Sequence, residues 1–385
     1  MNRLDVSKIT CVADVRLTAR IEAEADRMGI LETYTERAKQ VALKPRSIWL
    51  PLGRHSTMAE SPSDIIRLYV PRTHERAAMA RLATAADLFL PGRGSIFAED
   101  AVLIGTDFQL WDQTRLCSDP PSWAAENRME PSPYDLIFCI LPRGRGTELA
   151  SAILEMGLCV PIVSYGEGMG MRDRLGLLRI TIPQEKEILG FLVPPGDSDF
   201  VVDVAVRKAG LQEPGRGFLG RIPVRALAIN ARMNLAPRRH VATMEQVITT
   251  LDQLRGSTDW RRLSAAARHH RAPEILPNPD ERVRLTLIGE EGTSSGPVRA
   301  ALDAGAGGAT LSRLSRRTPV AHEGEDEVAI VSHAREFCDL VVRRSLLDHI
   351  EDAVIQSGLL EDPTHGFIEL GPIHDTISYT TPTTH

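Results

Sequence analysis

Apolar residues along the chain alternate between short unbroken runs and stripes at helical spacing. The clearest stretch starts at residue 135. Residues 135–141, Asp-Leu-Ile-Phe-Cys-Ile-Leu, form an apolar run with the length of a buried strand. Residues 147–157 follow with Leu149, Ile153, Leu154 and Met156 on one side, the spacing of an amphipathic helix that ends on Gly157. Residues 160–165 read as a second strand, after which Gly166-Glu167-Gly168-Met169-Gly170 opens a flexible loop. A third strand is expected over 187–193. A second helix is expected over 199–209, where Phe200, Val201, Val204 and Ala205 share a face. Pro214-Gly215-Arg216-Gly217 is a turn, and 218–224 a last strand.

The same order is legible twice more. Upstream, a strand over 9–15 leads to a helix over 18–28 stopped by Gly29, then a strand over 64–70 and a helix over 74–87. Pro91-Gly92-Arg93-Gly94 and a strand through Phe97 close it. Downstream, strands are expected over 282–288, 327–332 and 366–370, with helices over 297–304 and within 338–357. The turn before each last strand is a repeated phrase, whose third copy is altered to Pro363-Thr364-His365-Gly366. Internal repetition decides architecture ahead of any single motif. The expected fold class is α+β: three tandem ferredoxin-like repeats, each β-α-β-β-α-β. They are bounded at 7–105, 134–231 and 281–375. Residues 106–133, rich in Pro, Trp and Asp, read as a surface linker. Residues 232–280 read as a helical insertion, and 376–385 as a mobile tail.

The middle repeat resembles the PII signalling family of nitrogen-regulatory proteins and their PII-like relatives. The matching residues are Met156-Gly157-Leu158, Gly166-Glu167-Gly168, the strand opening Ile182-Pro183-Gln184-Glu185-Lys186-Glu187-Ile188, and the turn Glu213-Pro214-Gly215-Arg216-Gly217-Phe218. The resemblance is good over 134–230, fair over 7–105 and weak but ordered over 282–373. It implies that the glycine turn is the family's B-loop. It also implies that 166–180, 53–63 and 313–326 lie in the long loops, the T-loops, between strands two and three. PII proteins trimerise to cover bare sheet faces, so three repeats in one chain imply an intrachain pseudo-trimer. They also imply an adenine nucleotide (ATP, ADP or AMP) in clefts between repeats, and loops that dock on a regulated transporter or enzyme.

Composition narrows the class further. The chain is 43% hydrophobic and 25% charged with net charge −6, which gives no basic footprint for nucleic acid. No apolar stretch approaches the roughly 20 residues of a membrane span, and the first residues lack a signal-peptide core. Five cysteines, odd in number and without a Cys-x-x-Cys pair, point to a reducing cytoplasm and to thiols that act as small hydrophobes. Of 45 basic residues only Lys8, Lys39, Lys44, Lys186 and Lys208 are lysines. Arginine suits carboxylate and phosphate binding and cannot act as a general base.

The chemistry of the glycine turns follows from their backbone. Converging N–H groups with an adjacent arginine form an anion cradle, so Gly92, Arg93, Gly94, Gly215, Arg216 and Gly217 are candidate phosphate ligands. The plain alternative is a tight turn demanded by strand geometry. His365 and Gly366 would form the third cradle, and Gly166, Glu167, Gly168, Arg172, Arg174 and Lys186 would line the clefts. The lysine that the family carries after these glycines is replaced by Ser95, Phe218 and Phe367. The start of the helix at Gly144-Arg145-Gly146-Thr147 is either an anion site or an end capped by Thr147. No metal site is expected, since His269 and His270 are adjacent and face different ways on a helix. Three functions remain: a ligand-sensing regulator, a scaffold subunit with vestigial clefts, and a pseudo-threefold enzyme resembling cyanuric acid hydrolase or barbiturase. The enzyme is disfavoured because the third repeat has no lysine for a recurring Ser–Lys pair.

Overall fold

The computed structural model describes residues 1–43, 58–90, 92–116, 119–122, 124, 130–155, 159–169, 185–230, 281–321, 328–361 and 366–378. One order of elements occurs three times. Segment 1 comprises β1 (Asn2–Asp14), α1 (Thr18–Arg27), β2 (Thr33–Leu43), β3 (Met58–Val70), α2 (Glu75–Ala85) and β4 (Gly94–Gly105). Segment 2 comprises β5 (Ser132–Pro142), α3 (Arg145–Glu155), β6 (Ile162–Met169), β7 (Glu185–Val193), α4 (Pro195–Ala209) and β8 (Phe218–Ala228). Segment 3 comprises β9 (Arg282–Glu290), α5 (Ser295–Asp303), β10 (Ala309–Ala321), β11 (Val328–Arg343), α6 (Leu347–Gln356), β12 (Phe367–Pro372) and a short β13 (Asp375–Ser378).

The strands join one large antiparallel sheet, and each segment contributes four neighbours in the order last-first-third-second: β4-β1-β3-β2, β8-β5-β7-β6 and β12-β9-β11-β10. Strand β10 crosses between segments to pair with β2 and β6, and β4 pairs with both β8 and β12. Period-two alternation gives the central strands, such as β1, β4 and β9, two buried faces. In β1, Ile9, Cys11 and Ala13 face the core under α1 and α2, while Val6 and Val12 face the other way. Equivalent cores lie under α3 and α4 and under α5 and α6. The opposite faces pack against one another across segments. One such layer gathers Val6, Tyr34, Tyr69, Ile288, Phe337 and Phe367, another Val12, Ile65, Phe97, Leu192 and Ile222.

Between these layers lies a buried ion cluster. Lys8 Nζ donates to Glu369 Oε1 at 2.7 Å and stands 3.4 Å from Glu99; Arg284 Nη2 lies 2.8 Å from Glu99 and 3.0 Å from Glu369. Tyr69 donates its hydroxyl to the other Glu369 oxygen at 2.6 Å. Burial alone would raise the Glu369 carboxyl, but Lys8 and Arg284 outweigh it and bring it down to about 2. Arginines also clamp segment to segment. Arg225 forks onto Glu75, Arg317 onto Asp26, Arg313 reaches Glu167, and Arg3 reaches Glu351. The planar fork that matches a carboxylate explains why these staples are arginine.

Several expectations are corrected. Gly166, Glu167 and Gly168 lie in strand β6 and not in a loop, because β6 pairs with β7 on one edge and β10 on the other. Residues 58–63 and 313–321, expected in long loops, are strand in β3 and β10. Cys338, expected in a helix, is strand: Cys338, Leu340 and Val342 enter the core under α5 and α6, while Phe337 faces the opposite layer. Residues 376–378, expected in a mobile tail, pair with β8 as β13. The stretch after β4 does lie on segment 1: Leu31 N donates to Leu110 O at 2.9 Å, and Ile30 bridges to Trp111. The insertion at 232–280, including His269 and His270, lies outside the described residues. No helix among the described residues is long and apolar enough to cross a membrane.

Candidate functional site

Gly94, Gly217 and Gly366, the second glycine of each turn, occupy equivalent places, and each has a steric reason. A Cβ at Gly94, Gly217 or Gly366 would overlap the carbonyl oxygen of Val12, Ile140 or Ile288, the same position on each segment's first strand. The first glycine answers a dihedral demand, with φ of 80° at Gly92 and 73° at Gly215. Close strand approach therefore accounts for the glycines without a ligand. Arg93 is exposed on its turn. Arg216 bonds Glu213 of its own turn at 2.7 Å, so its guanidinium is turned back onto the protein. Lys186 lies in β7, opposite Pro142 and Gly166. Glu167 is paired with Arg313 at 2.9 Å. Gly166 packs against the Leu311 carbonyl of β10. His365, Arg172 and Arg174 lie outside the described residues. The expected site residues thus stand at separate segment boundaries.

The boundaries are closed to different degrees, each by the stretch that follows another segment's last strand. At the first turn, Asn230 N donates to Ser95 Oγ at 2.9 Å and its Nδ2 to Gln40 Oε1 at 2.5 Å, so Asn230 fills the gap beside Gly94. At the second turn, β13 runs along β8 and sets Ser378 opposite Phe218. At the third turn, residues 107–110 lie over Gly366 and Phe367 and leave a small cleft of about 30 Å³ lined by Glu32, Tyr34, Asp107, Phe108, Arg316 and Arg335.

Two arginines give this third cleft its character. Arg316 Nη2 donates to Glu32 Oε1 at 2.5 Å, and Tyr34 donates its hydroxyl to Glu32 Oε2 at 2.5 Å. Burial, and then the Glu32 charge, push the Tyr34 hydroxyl well above its usual range, so it remains a donor. Arg335, only 4% exposed, lies 3.5 Å from the half-exposed Glu290. Burial, and then the charge of Arg316, hold the Arg335 guanidinium below its ordinary value. Carboxylates already face both arginines, Glu32 on Arg316 and Glu290 near Arg335, and Asp107 joins the lining, so an anion would be drawn only by the residual repulsion between the two guanidiniums.

Sequence reasoning missed Arg316 and Arg335. Arg316 fell in a stretch read as loop. The available signal was the pair Arg316-Arg317: on a strand, adjacent side chains point to opposite faces. Arg316 turns to the cleft, and Arg317 forks onto Asp26 of α1.

The helix start at Gly146 already holds an anion of the protein itself. Glu187 Oε2 accepts from Gly146 N at 2.6 Å. The same position is acidic in the other segments: Asp64 accepts from Thr18 Oγ1 at 2.5 Å and Glu336 from Ser294 N at 3.3 Å. A carboxylate from the third strand thus serves the first helix of every segment. The chain matches no protein-family model, no curated protein and no solved structure.

Proposed function

We propose that the protein is a PII-like regulator built as three ferredoxin-like repeats in an intrachain pseudo-trimer. It senses a small anionic ligand between repeats 1 and 3 and docks on a partner protein in the cytoplasm. The observation that carries this reading is the pair Arg316 and Arg335 lining the cleft beside Gly366. An adenine nucleotide is the first ligand to test, with its phosphates on the two arginines. The cradles at Gly92–Gly94 and Gly215–Gly217 are secondary in this reading, because Asn230 and β13 occupy their surroundings.

Calorimetric titration with ATP, ADP, AMP and cyclic AMP tests it. Arg335→Ala is expected to weaken the bound nucleotide tenfold or more, the loss of about 1.4 kcal/mol or greater that a charge-assisted contact supplies. Arg93→Ala should leave affinity unchanged. Absence of binding by all four nucleotides at millimolar concentration would transfer support to a scaffold role, which the filled boundaries at Asn230 and β13 favour.

A further inference from the structure

We propose that the outer edge of β8 is a strand-binding surface for an extended partner segment of the pattern acidic–any–aliphatic, and that β13 is its built-in occupant. The inference is independent of the ligand reading. It starts from the way the last strands cover one another. The far half of β4, residues 102–104, pairs with 368–370 of β12. The far half of β8, at Arg225, Ala226 and Ala228, pairs with 96–98 of β4. The third contact is made by β13, whose residues 375–378 pair with 221–218 of β8.

The first two contacts come from unbroken strands of 12 and 11 residues. The third comes from a broken one: β12 stops after six residues at Pro372, and β13 resumes at Asp375 for four. Proline has no N–H to continue the ladder. Ile373 turns into the inner core, and His374 N donates to Arg221 O at 2.8 Å. The break separates a firmly seated strand from a short, half-exposed one.

The apolar contacts grade the same way. Ile104 is buried in the core of segment 3 and Ala228 in that of segment 1, whereas Ile377, the corresponding residue on segment 2, is only partly buried. The polar contact is replaceable as well. Asp375 pairs with Arg221, but Arg221 also holds Asp199 at 2.9 Å and lies 3.9 Å from Asp135. Lifting β13 therefore does not orphan the guanidinium, and Arg221 Nε has no hydrogen-bond partner even with β13 in place.

What remains when β13 lifts is a recognition surface of known type. The free edge from Phe218 to Arg221 offers backbone hydrogen bonds for an antiparallel strand, which give affinity. Arg221 selects a carboxylate, and the notch filled by Ile377, two residues on and on the same face, selects an aliphatic side chain. An exposed edge is a hazard unless covered, which explains a resident strand that yields to a competitor.

The test uses a labelled peptide of residues 373–385 and fluorescence anisotropy. A chain ending at His374 is expected to bind it at least tenfold more tightly than the intact chain. Peptides carrying Asp375→Lys or Ile377→Glu should lose at least tenfold. An intact-length Asp375→Ala, Ile377→Ala double variant should bind with intermediate affinity, and it carries the test if the shortened chain does not fold. Hydrogen exchange of the intact chain should show the Ile377 amide opening at least tenfold faster than those of Leu103 and Ala226. A folded shortened chain that ignores the peptide, equal binding by shortened and intact chains, or equal exchange at the three strands would each overturn the proposal.

Discussion

Glu369→Ala is expected to cost on the order of 3–5 kcal/mol of folding stability, the usual penalty for removing one partner from a buried ion cluster. Glu369 has no solvent exposure and accepts from Lys8, Arg284 and Tyr69, so its loss leaves Lys8 and Arg284 sharing Glu99. Equilibrium unfolding in urea measures the effect. A pH series adds a sharper signature. Burial alone would raise this carboxyl, but its two cations hold it down at about 2, below the ordinary 4.5. A depressed acid stabilises the fold above its unfolded value, and that contribution disappears as pH falls from about 4.5 toward 2. Glu369→Gln should lose stability at neutral pH and flatten this acid slope. An unchanged slope in a folded Gln variant would mean that the cluster does not hold the charge as described.

Alanine at Gly94, Gly217 or Gly366 should destabilise by on the order of 2–4 kcal/mol, because the new Cβ overlaps a backbone carbonyl held in a strand ladder. Alanine at Gly92 or Gly215 should cost only about 1 kcal/mol, the price of a left-handed residue outside a glycine. The two glycines of one turn would then separate in a thermal or urea melt. If the second glycine tolerated alanine while nucleotide binding collapsed, the turn would be a ligand cradle first and a packing device second.

The polar positions of the strands show why the sequence was harder to read than its apolar ones. Lys8 and Glu99 sit in alternating strands, and alternation in an isolated sheet places such residues in water. Here the second face of each segment's strands meets another segment, so Lys8, Glu99, Arg284 and Glu369 are buried and paired. The strands also run further than their apolar runs suggest. Strand β3 begins at Met58 and β10 continues to Ala321, since their outer parts gain ladder partners from neighbouring strands. Cys338 reads as helix from the sequence because its flanking apolar residues fit either period over so short a span. The cleft arginines stayed hidden for a related reason: Arg316 and Arg335 stand opposite Glu32 and Glu290, and only the first of these pairs crosses a segment boundary.

The order of elements in segment 2, the first and last strands and both helices of segments 1 and 3, the placing of Gly94, Gly217 and Gly366 before the last strands, and the choice of buried thiols were determined by the sequence alone, whereas the second strands β2 and β10 were not. The former rest on local periodicity, turn chemistry and burial of small apolar groups, which act over a few residues. The tertiary structure decided which strands reach across segments, which boundary keeps a cleft, and that Glu187, Asp64 and Glu336 serve the starts of the first helices. It also decided that the third last strand breaks at Pro372 and returns as β13. These outcomes depend on pairs far apart in the chain, such as Lys8 with Glu369 and Arg316 with Glu32, whose meeting is settled by how the segments close on one another.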